Sequence, residues 1–568
     1  VEGAAAVVEP GRVFKQVFYV QALEPGEYAI PVRVSYLFLG SKFEREVGKV
    51  SLKVLEEGGP RLSIVKEVRA DEMGYEADVY VRVVNLGSAP AKWVKVGDLL
   101  PKGLYVVSGD VKALVEEIEP GSSFTLKYTV RVLEPGFFEL PPARAIYYAE
   151  LGEEYWAFSE GAVVELKPAP LGYAREGVKY SRRLLPKLPA PSERWYVVDV
   201  SSLSLEERLL AASLAGLVNR QVPCVYLVYG DVEREWLGKL QLMYGFAYES
   251  ATWREVLAKF PEAVKGYVVY DPRMPDTVNV ATMLSSAYDL LIVAPDLEGE
   301  VRSLGLRKVW DLRGNWSSRE EMYLWAIRNL LPLMSDRMVY VCHTMVPPPG
   351  WSRIDVQFRD HAVAERVFTL SASPAGDGRP YTPLDYVIFE ELYDRFTPPT
   401  LVLGWWWDEW SNVARASRRG FVVTATDFFP NLSLWRALPE PFPLALPRSK
   451  PEKLDPGAVY VAILQSDGDN SCVDYGFLGG KGGMHWLDPN RGSEPVNWGV
   501  QPLLVELAPP LLAYFYSTAS PRDFFFAGPS GAGYYYPAKV PEAAKGVVYD
   551  LNWYYLKATD LTAATVLG

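Results

Sequence analysis

Four carboxyl side chains in the C-terminal part of the chain stand directly after short apolar runs that are typical of β-strands. They are Glu409, Asp427, Asp467 and Asp469. Hydrolysis of a glycosidic bond needs two carboxyl groups, one as a proton donor and one as a nucleophile or base. We expect these four residues to be catalytic, with one Asp of the 467–469 segment acting with Glu409 or Asp427. The competing interpretation is structural, because Asp side chains in turns often bond to their own loop.

Aromatic, phenol and amide side chains accompany these carboxyl groups along the sequence. Aromatic rings can stack on the apolar faces of sugars, and amide and phenol groups can bond to sugar hydroxyls. The same rings also fill protein cores. The candidate substrate-binding residues are Trp405, Trp407, Asn470, Trp498, Tyr534 and Tyr536.

Strands and helices alternate from about residue 195 onward. The apolar run 196–200 is followed by Ser204, a helix N-cap residue, and then by a predicted helix over 205–218. This alternation predicts a largely parallel sheet covered by helices, and chemistry in such folds gathers at the C-terminal ends of strands.

The pattern predicts two α/β domains, over residues 194–395 and 396–568. The strands predicted in the second of these domains are four, namely 400–403, 421–424, 459–464 and 523–526. Four strands are too few to close an eight-stranded barrel. If the second domain resembles such a barrel, either the sequence stops before the domain does or the barrel is incomplete, and we expect the former, a domain truncated at residue 568.

The N-terminal part contains a repeat. The segment Val8-Glu9-Pro10-Gly11 has a counterpart 110 residues later, Ile118-Glu119-Pro120-Gly121, and both are followed by a second Glu-Pro-Gly turn. Alternating apolar and polar residues between such turns predict two immunoglobulin-like antiparallel β-sandwich modules, 1–59 and 60–170, with a linker at 171–193.

By the period of this repeat, the first module lacks its first strands. Half a sandwich leaves unpaired strand edges. We expect either that Val1 is not the native start or that another copy completes the module, which would make it a self-association site.

Composition excludes several classes of partner. The formal net charge is −12 without a long basic run, which disfavours nucleic acid and anionic membrane surfaces as partners. No apolar run reaches the length of a membrane span. Three cysteines do not form a disulfide framework. Only 11 Asn and 7 Gln occur in 568 residues, a depletion that favours a thermophilic source.

The sequence predicts no cofactor and no metal. A loose Ca²⁺ site through Asp467, Asp469 and Asp474 is the alternative, but a calcium loop would carry Glu where Leu478 stands. Two Asn-x-Ser sequons, at Asn315 and Asn431, are candidate glycosylation sites.

Residues 531–537 read Gly-Ala-Gly-Tyr-Tyr-Tyr-Pro. Three shorter motifs precede them along the chain: Asn-Leu-Ser at 431–433, Ser-Asp-Gly-Asp-Asn at 466–470 and Asn-Trp-Gly at 497–499. Together these resemble the GxGYxYP glycoside hydrolase family over roughly 194–568. The resemblance implies an α/β domain over 194–395, a (β/α)-barrel-like domain over 396–568, and action on sugars. Residues 60–170 resemble the DUF11 or CARDB-like modules of secreted and wall-attached archaeal and bacterial proteins, which implies an extracellular setting.

Two hypotheses about function follow. The first is a secreted or cell-surface glycoside hydrolase acting on polysaccharide through strand-end carboxylates. The second is a non-catalytic subunit of a surface layer, sheath or extracellular filament, whose hydrolase-like domain is a scaffold or binds sugar. The first module, if completed by strand sharing, favours the second hypothesis.

Overall fold

The computed structural model describes most of the chain. The described residues are 26–38, 41–54, 59–101, 103–132, 134–149, 153–170, 175, 184–342, 356–371, 383–405, 409–426, 428–441, 444–446, 455–468, 470–471, 473–478 and 485–567, with only the backbone for 26–54, 105, 383–387, 473, 477–478 and 543. The chain is multidomain, as predicted, with a β-rich N-terminal region and a C-terminal α/β region. No helix in these ranges is both long enough and apolar enough to cross a membrane.

The N-terminal region is built from antiparallel strands. β1 (Gly26–Phe38) and β2 (Ser41–Val54) form a hairpin within the predicted first module, whose residues 1–25 lie outside the described part. The following strands are β3 (Leu62–Ala70), β4 (Ala77–Asn85), β5 (Ala91–Gly97), β6 (Leu104–Gly109), β7 (Lys112–Ile118), β8 (Ser123–Val132), β9 (Gly136–Leu140), β10 (Arg144–Tyr148), β11 (Glu154–Phe158) and β12 (Ala162–Leu166).

Two four-stranded sheets of this region enclose one apolar core. Their strand orders are β3-β4-β8-β6 and β11-β10-β5-β7, and β9 pairs with β12. In β4 the side chains alternate: Val79, Val81 and Val83 are fully buried, whereas Tyr80 and Arg82 point to the other face. A period of two with one apolar face is what a half-buried strand requires.

The C-terminal region alternates strands with helices. Its strands are β13 (Arg194–Asp199), β14 (Val225–Val228), β15 (Ala247–Ser250), β16 (Gly266–Val269), β17 (Leu290–Val293), β18 (Lys308–Asp311), β19 (Met338–Cys342), β20 (Phe368–Ser371), β21 (Leu401–Gly404), β22 (Val422–Thr424), β23 (Leu464–Gln465), β24 (Val496–Val500) and β25 (Asp523–Ala527). Its helices are α1 (Leu205–Gln221), α2 (Asp231–Tyr244), α3 (Trp253–Lys259), α4 (Thr277–Tyr288), α5 (Glu298–Ser303), α6 (Arg319–Asn329), α7 (Arg359–Ala364), α8 (Pro383–Tyr393), α9 (Glu409–Ser417), α10 (Leu432–Trp435), α11 (Leu504–Leu507), α12 (Pro509–Thr518) and α13 (Glu542–Ala558).

The described strands of this region form four parallel sheets. Their orders are β14-β13-β15, β17-β16-β18, β20-β19-β21-β22 and β23-β24-β25. The third sheet pairs β19 with β21 and so runs across residue 395, where the sequence predicted a domain boundary. The single bridge between Ala425 and Asn470 places the last two sheets side by side, and a bridge between Ala527 and Ala564 adds the C-terminal segment beside β25. The predicted strand 459–464 pairs only at β23, and Val459 and Val461 are exposed.

Helix α1 forms where the sequence predicted it. The Ser204 hydroxyl accepts a hydrogen bond from the Glu207 amide, and the Glu207 carboxylate accepts one from the Ser204 amide, which completes a capping box. Residues 209–219 are buried without interruption. A helix that is buried all round belongs to the interior of a large domain, and α1 packs against α7 and β17.

Strands β3 to β12 form a unit that we call the β module, and a buried lysine of this module bonds to the α/β region. Lys112 is 2% exposed, and its ammonium donates to the carbonyl oxygens of Asp336 (3.1 Å), Thr397 (2.8 Å) and Pro399 and to the Thr400 hydroxyl (3.3 Å). These acceptors all belong to the loops before β19 and β21. A buried cation needs such a set of oxygens to replace its lost hydration.

A second buried polar cluster joins α7 to α10. The Asp360 carboxylate, 1% exposed, accepts hydrogen bonds from the amide (3.0 Å) and hydroxyl (2.6 Å) of Ser433. Burial raises the pKa of Asp360 to about 6, although the bonds from Ser433 oppose the rise. The neighbouring His361 is completely buried, and burial holds its pKa well below the ordinary value.

Asp360 and His361 should have opposite effects on how the stability of the fold depends on pH. Asp360 binds its proton more tightly in the folded chain, so its contribution to stability is present below about pH 4 and is lost as pH rises towards 6. His361 takes up its proton more readily when unfolded, so its contribution is lost as pH falls below about 6.5.

Asp360→Asn removes only the pH effect that comes from Asp360. The unfolding free energy of the variant relative to wild type should therefore fall by about 2–3 kcal/mol between pH 7 and pH 4.

Urea denaturation at several pH values measures this difference. Asp455→Asn is the control, because Asp455 is exposed in a turn and its substitution should give a curve parallel to that of the wild type. Parallel curves for Asp360→Asn as well would contradict the assignment.

Candidate functional site

The C-terminal ends of β21, β22, β23 and β25 converge on one edge of the adjacent sheets. The loop after β23 joins the end of β22 through the parallel bridge between Asn470 and Ala425. The loop after β25 joins β22 through an antiparallel bridge, in which the Tyr534 and Val423 backbones exchange hydrogen bonds of 2.7 and 2.9 Å. We call this edge the strand-end site, defined by Trp405, Glu409, Asp467, Tyr534 and Tyr536.

Glu409 begins α9 and faces two phenols. The Tyr534 hydroxyl donates to the Glu409 carboxylate at 2.7 Å and lies 3.2 Å from the Tyr536 hydroxyl. Burial, followed by the bonds to Tyr536 and Glu409, raises the pKa of Tyr534. This phenol therefore stays protonated and fixes one oxygen of the carboxylate by donation. Glu409 itself is half-buried.

Asp467 lies at the mouth of the same site. Its side chain is exposed, and its backbone adopts a φ of 73°, a left-handed conformation that Asp and Asn tolerate better than most residues. Surrounding protein atoms that displace water, and then the negative charge of Glu409, raise the pKa of Asp467. The negative charge of Glu409 therefore acts on Asp467, which holds its proton more firmly than an ordinary Asp does.

Two aromatic stacks line the site. The Trp405 ring stacks on Tyr534 with 6.3 Å between centroids, and the Trp410 ring stacks on Tyr536 at 5.5 Å. Trp410 is 69% exposed, whereas both tyrosines are buried. The tyrosines therefore form a rigid floor, and Trp410 offers a free indole face at the rim.

Glycines allow the two loops to approach the strands. A Cβ on Gly533 would lie 2.9 Å from the Val423 carbonyl oxygen, and a Cβ on Gly468 would lie 2.0 Å from the backbone of Gly499. Real side chains do not reach such distances. Gly533 of the 531–537 motif is thus required for the close packing of this loop on β22, which brings Tyr534 to Glu409.

A buried glutamine that the sequence analysis missed holds the 531–537 loop. The Gln501 amide, after β24, donates to the Thr424 hydroxyl and to the Ala532 carbonyl oxygen, both at 2.9 Å. The Ser417 hydroxyl accepts a bond of 2.9 Å from the Tyr536 amide, which ties the loop to α9 as well. Gln501 follows β24, which was not among the strands predicted from the sequence, so no strand-end position marked it there.

Two predicted site residues lie elsewhere. Trp498 is 6% exposed in the core, where its ring packs on Trp486 and its N–H donates to Asp523 at 2.7 Å, so it does not line the strand-end site. Asn431 is 1% exposed, and its amide bonds to both the N–H and the C=O of Leu227. This buried amide does not fit the glycosylation that its sequon suggested.

The remaining predicted residues divide between described and undescribed parts of the chain. Asp427, Asp469 and Trp407 lie outside the described residues, so the calcium site that includes Asp469 stays a prediction. Asn470 is half-buried beside the site. Asn315 is exposed, which is compatible with a glycosylation acceptor, and it lies in the loop between β18 and α6.

Comparison with family models matches the α/β region in four segments. They are the GxGYxYP first domain at 194–262, its second domain at 264–334, its third domain at 339–437 and the GxGYxYP putative glycoside hydrolase C-terminal domain at 457–568. Residues 60–162 match the model of translocon-associated protein beta. The resemblance of this module to DUF11 or CARDB-like repeats stays an expectation. No curated protein matches the chain.

Among solved structures, a protein described as a putative hydrolase from Bacteroides thetaiotaomicron is similar in fold. It is 23% identical with a TM-score of 0.59, and the match covers 68% of this chain and 72% of that one. The yeast GGA1 GAE domain is 16% identical with a TM-score of 0.15 over 20% of this chain and 99% of that one. An exo-β-N-acetylglucosaminidase from Vibrio harveyi is 11% identical with a TM-score of 0.14 over 61% and 67%. Scores this low support no inference.

The bounds of the four family segments agree with the structure. The second segment encloses the sheet of β16 to β18, and the C-terminal segment encloses the sheet of β23 to β25 together with the 531–537 motif. Residues 194–568 of this chain thus carry the domains of the GxGYxYP putative glycoside hydrolase family, in order from the first to the C-terminal.

Proposed function

We propose that the strand-end site hydrolyses glycosidic bonds of a polysaccharide, with Asp467 as the proton donor and Glu409 as the nucleophile or base. The coupling of these two carboxyl groups supports this proposal best. Glycosidases use a pair whose surroundings keep one carboxyl protonated and the other ionised. The raised pKa of Asp467 suits a proton donor, and the hydrogen bond from the Tyr534 hydroxyl orients Glu409 as its partner.

The reaction would proceed by proton transfer from Asp467 to the glycosidic oxygen as the bond from that oxygen to the anomeric carbon breaks. Glu409 would either attack that carbon or take a proton from the attacking water. The Tyr534 hydroxyl would hold Glu409 in one orientation. Sugar rings would stack on the exposed indole of Trp410.

A panel of polysaccharides tests this proposal. The wild-type chain should release reducing ends from at least one polymer, and Glu409→Gln should release none while binding the same polymer. Binding by the wild type without release on any polymer would contradict hydrolysis. That result would favour the second hypothesis, a non-catalytic sugar-binding subunit of a surface layer, sheath or filament.

Salt should change the pH dependence of hydrolysis in a defined direction. Activity falls as Asp467 loses its proton, and the negative charge of Glu409 raises the pKa of Asp467. Salt screens this charge, because the Debye length falls from about 30 Å at 0.01 M to about 3 Å at 1 M. The alkaline limb of the kcat/KM profile should therefore move to lower pH in high salt. A limb that stays in place or moves to higher pH would contradict the pairing.

We also propose a location at the cell surface or outside the cell, in a thermophile. The β module, the exposed sequon at Asn315 and the scarcity of Asn and Gln support it. Labelling of intact source cells with an antibody against the β module tests the location, and exclusive recovery from the cytosol would contradict it.

A further inference from the structure

A cleft in the second family domain is lined by three tryptophans and lies outside the strand-end site. Its volume is about 510 Å³, and its walls come from β18, from α6 and from the loop between them. The lining residues are Trp310, Asn315, Trp316, Glu321, Leu324, Trp325 and Arg328. This volume lies within the range of about 300–1,000 Å³ that small-molecule sites occupy.

The three indoles are inclined to one another rather than stacked. Trp325 lies between the other two, with 5.3 Å to the Trp316 centroid at 57° and 6.3 Å to the Trp310 centroid at 67°. All three are half-buried, because one side of each packs against the core of the domain. The rings are therefore held rigidly while part of each faces the cleft.

Polar groups at the cleft retain hydrogen-bonding capacity. Arg328 lines the cleft and is exposed, and it takes part in none of the hydrogen bonds or ion pairs among the residues that the structure describes. Glu321 is also exposed, and its carboxylate already accepts bonds from the amide and hydroxyl of Ser317. The cleft thus combines rigid aromatic faces with a fork of guanidinium donors and a carboxylate acceptor.

We propose that this cleft binds a segment of neutral polysaccharide, as an accessory site that holds the polymer while the strand-end site acts on it. Sugars present apolar ring faces to indoles, and their hydroxyls both donate and accept, which suits Arg328 and Glu321 together. The two side-chain charges cancel and the chain carries a net charge of −12, so an anionic polymer is disfavoured. This proposal rests on the proposed function for the identity of the polymer.

Binding measurements on the full chain test the proposal. The protein is produced in a host without N-glycosylation, so that Asn315 carries no glycan. Affinity electrophoresis in gels that contain xylan, mannan or soluble β-glucan reports Kd, with polygalacturonate as the anionic comparison. Trp325→Ala and Trp316→Ala should each raise Kd for a neutral polymer about tenfold, the loss expected for one aromatic contact.

Two further variants separate binding from folding. Arg328→Ala removes only an exposed side chain, so it should raise Kd about threefold without changing the melting temperature. Trp553→Ala is the matched control, because Trp553 is 60% exposed on α13 and outside the cleft. Unchanged Kd in Arg328→Ala and in both cleft tryptophan variants would overturn the proposal.

Hydrolysis distinguishes the failure of this proposal from the failure of the proposed function. The cleft variants should raise KM on the polymer and leave the hydrolysis of a short aryl glycoside unchanged. A wild type that binds polymer through the cleft but hydrolyses nothing would refute the proposed function alone. Binding of a polyproline decapeptide in place of every glycan would refute the accessory sugar site, since aromatic grooves also accept proline-rich segments.

Discussion

Asp467→Asn should abolish hydrolysis of the polymer that the wild-type chain cleaves, with a loss in kcat of about 10²–10⁴-fold. Asn keeps the size of the side chain, but its amide lacks the acidic proton that a carboxyl group can give to a leaving oxygen. It also tolerates the left-handed backbone at this position, where φ is 73°. Because the side chain is exposed, the melting temperature should change by less than about 2 °C. Initial rates of reducing-end release measure the effect.

Asp455→Asn is the matched control for this experiment. Asp455 is also exposed, and its carboxylate accepts a bond from the Gly457 amide in a turn outside the strand-end site. Its variant should keep wild-type activity. An Asp467→Asn enzyme that retained more than half of the wild-type rate would show that the proton donor is another group.

Lys112→Met should destabilise the folded chain by about 3–5 kcal/mol. Methionine fills a similar volume but leaves three carbonyl oxygens and the Thr400 hydroxyl without their buried donor. These oxygens line the contact between the β module and the sheet that contains β19 and β21. The urea midpoint, followed by tryptophan fluorescence, measures the change in unfolding free energy.

Lys127→Met controls for the loss of a lysine from the same module. Its side chain is 54% exposed and lies 3.6 Å from Asp78, an ion pair worth less than about 1 kcal/mol. Limited proteolysis should also separate the β module from residues 194–568 faster in Lys112→Met than in the control. Equal stability of the two variants would mean that Lys112 is not what fastens the module.

Local sequence patterns predicted a secondary-structure element correctly where neighbouring residues alone determine where it begins. Ser204 began α1 as predicted, because its side chain and that of Glu207 can satisfy the first amides of a helix without help from elsewhere. The strand-end position of Glu409 and the alternation of Tyr534 and Tyr536 likewise indicated a shared site. Glu409 and Tyr534 are in contact at 2.7 Å. The immunoglobulin-like and barrel details stay predictions.

Two features that local sequence patterns did not predict, the strand β15 and the burial of Trp498, depend on contacts between distant parts of the chain. β15 was not predicted because its sequence Ala-Tyr-Glu-Ser is mostly exposed and forms a strand only through backbone pairing with β13. Trp498 was assigned to the substrate site, yet its N–H has a buried partner in Asp523, twenty-five residues away along the chain. A partner this far along the chain leaves no local pattern in the sequence, so the direction of the Trp498 ring was not predictable.

The Asn431 amide has a consequence for the solubility of the whole protein. β14 is the outermost strand of its sheet, and Asn431 bonds to both polar backbone groups of Leu227 within it. A rim with free N–H and C=O groups is a template on which a foreign strand can add and start aggregation. Asn431, from the third domain, takes up the backbone hydrogen bonds of Leu227 at this edge. A foreign strand therefore cannot pair with β14 at Leu227.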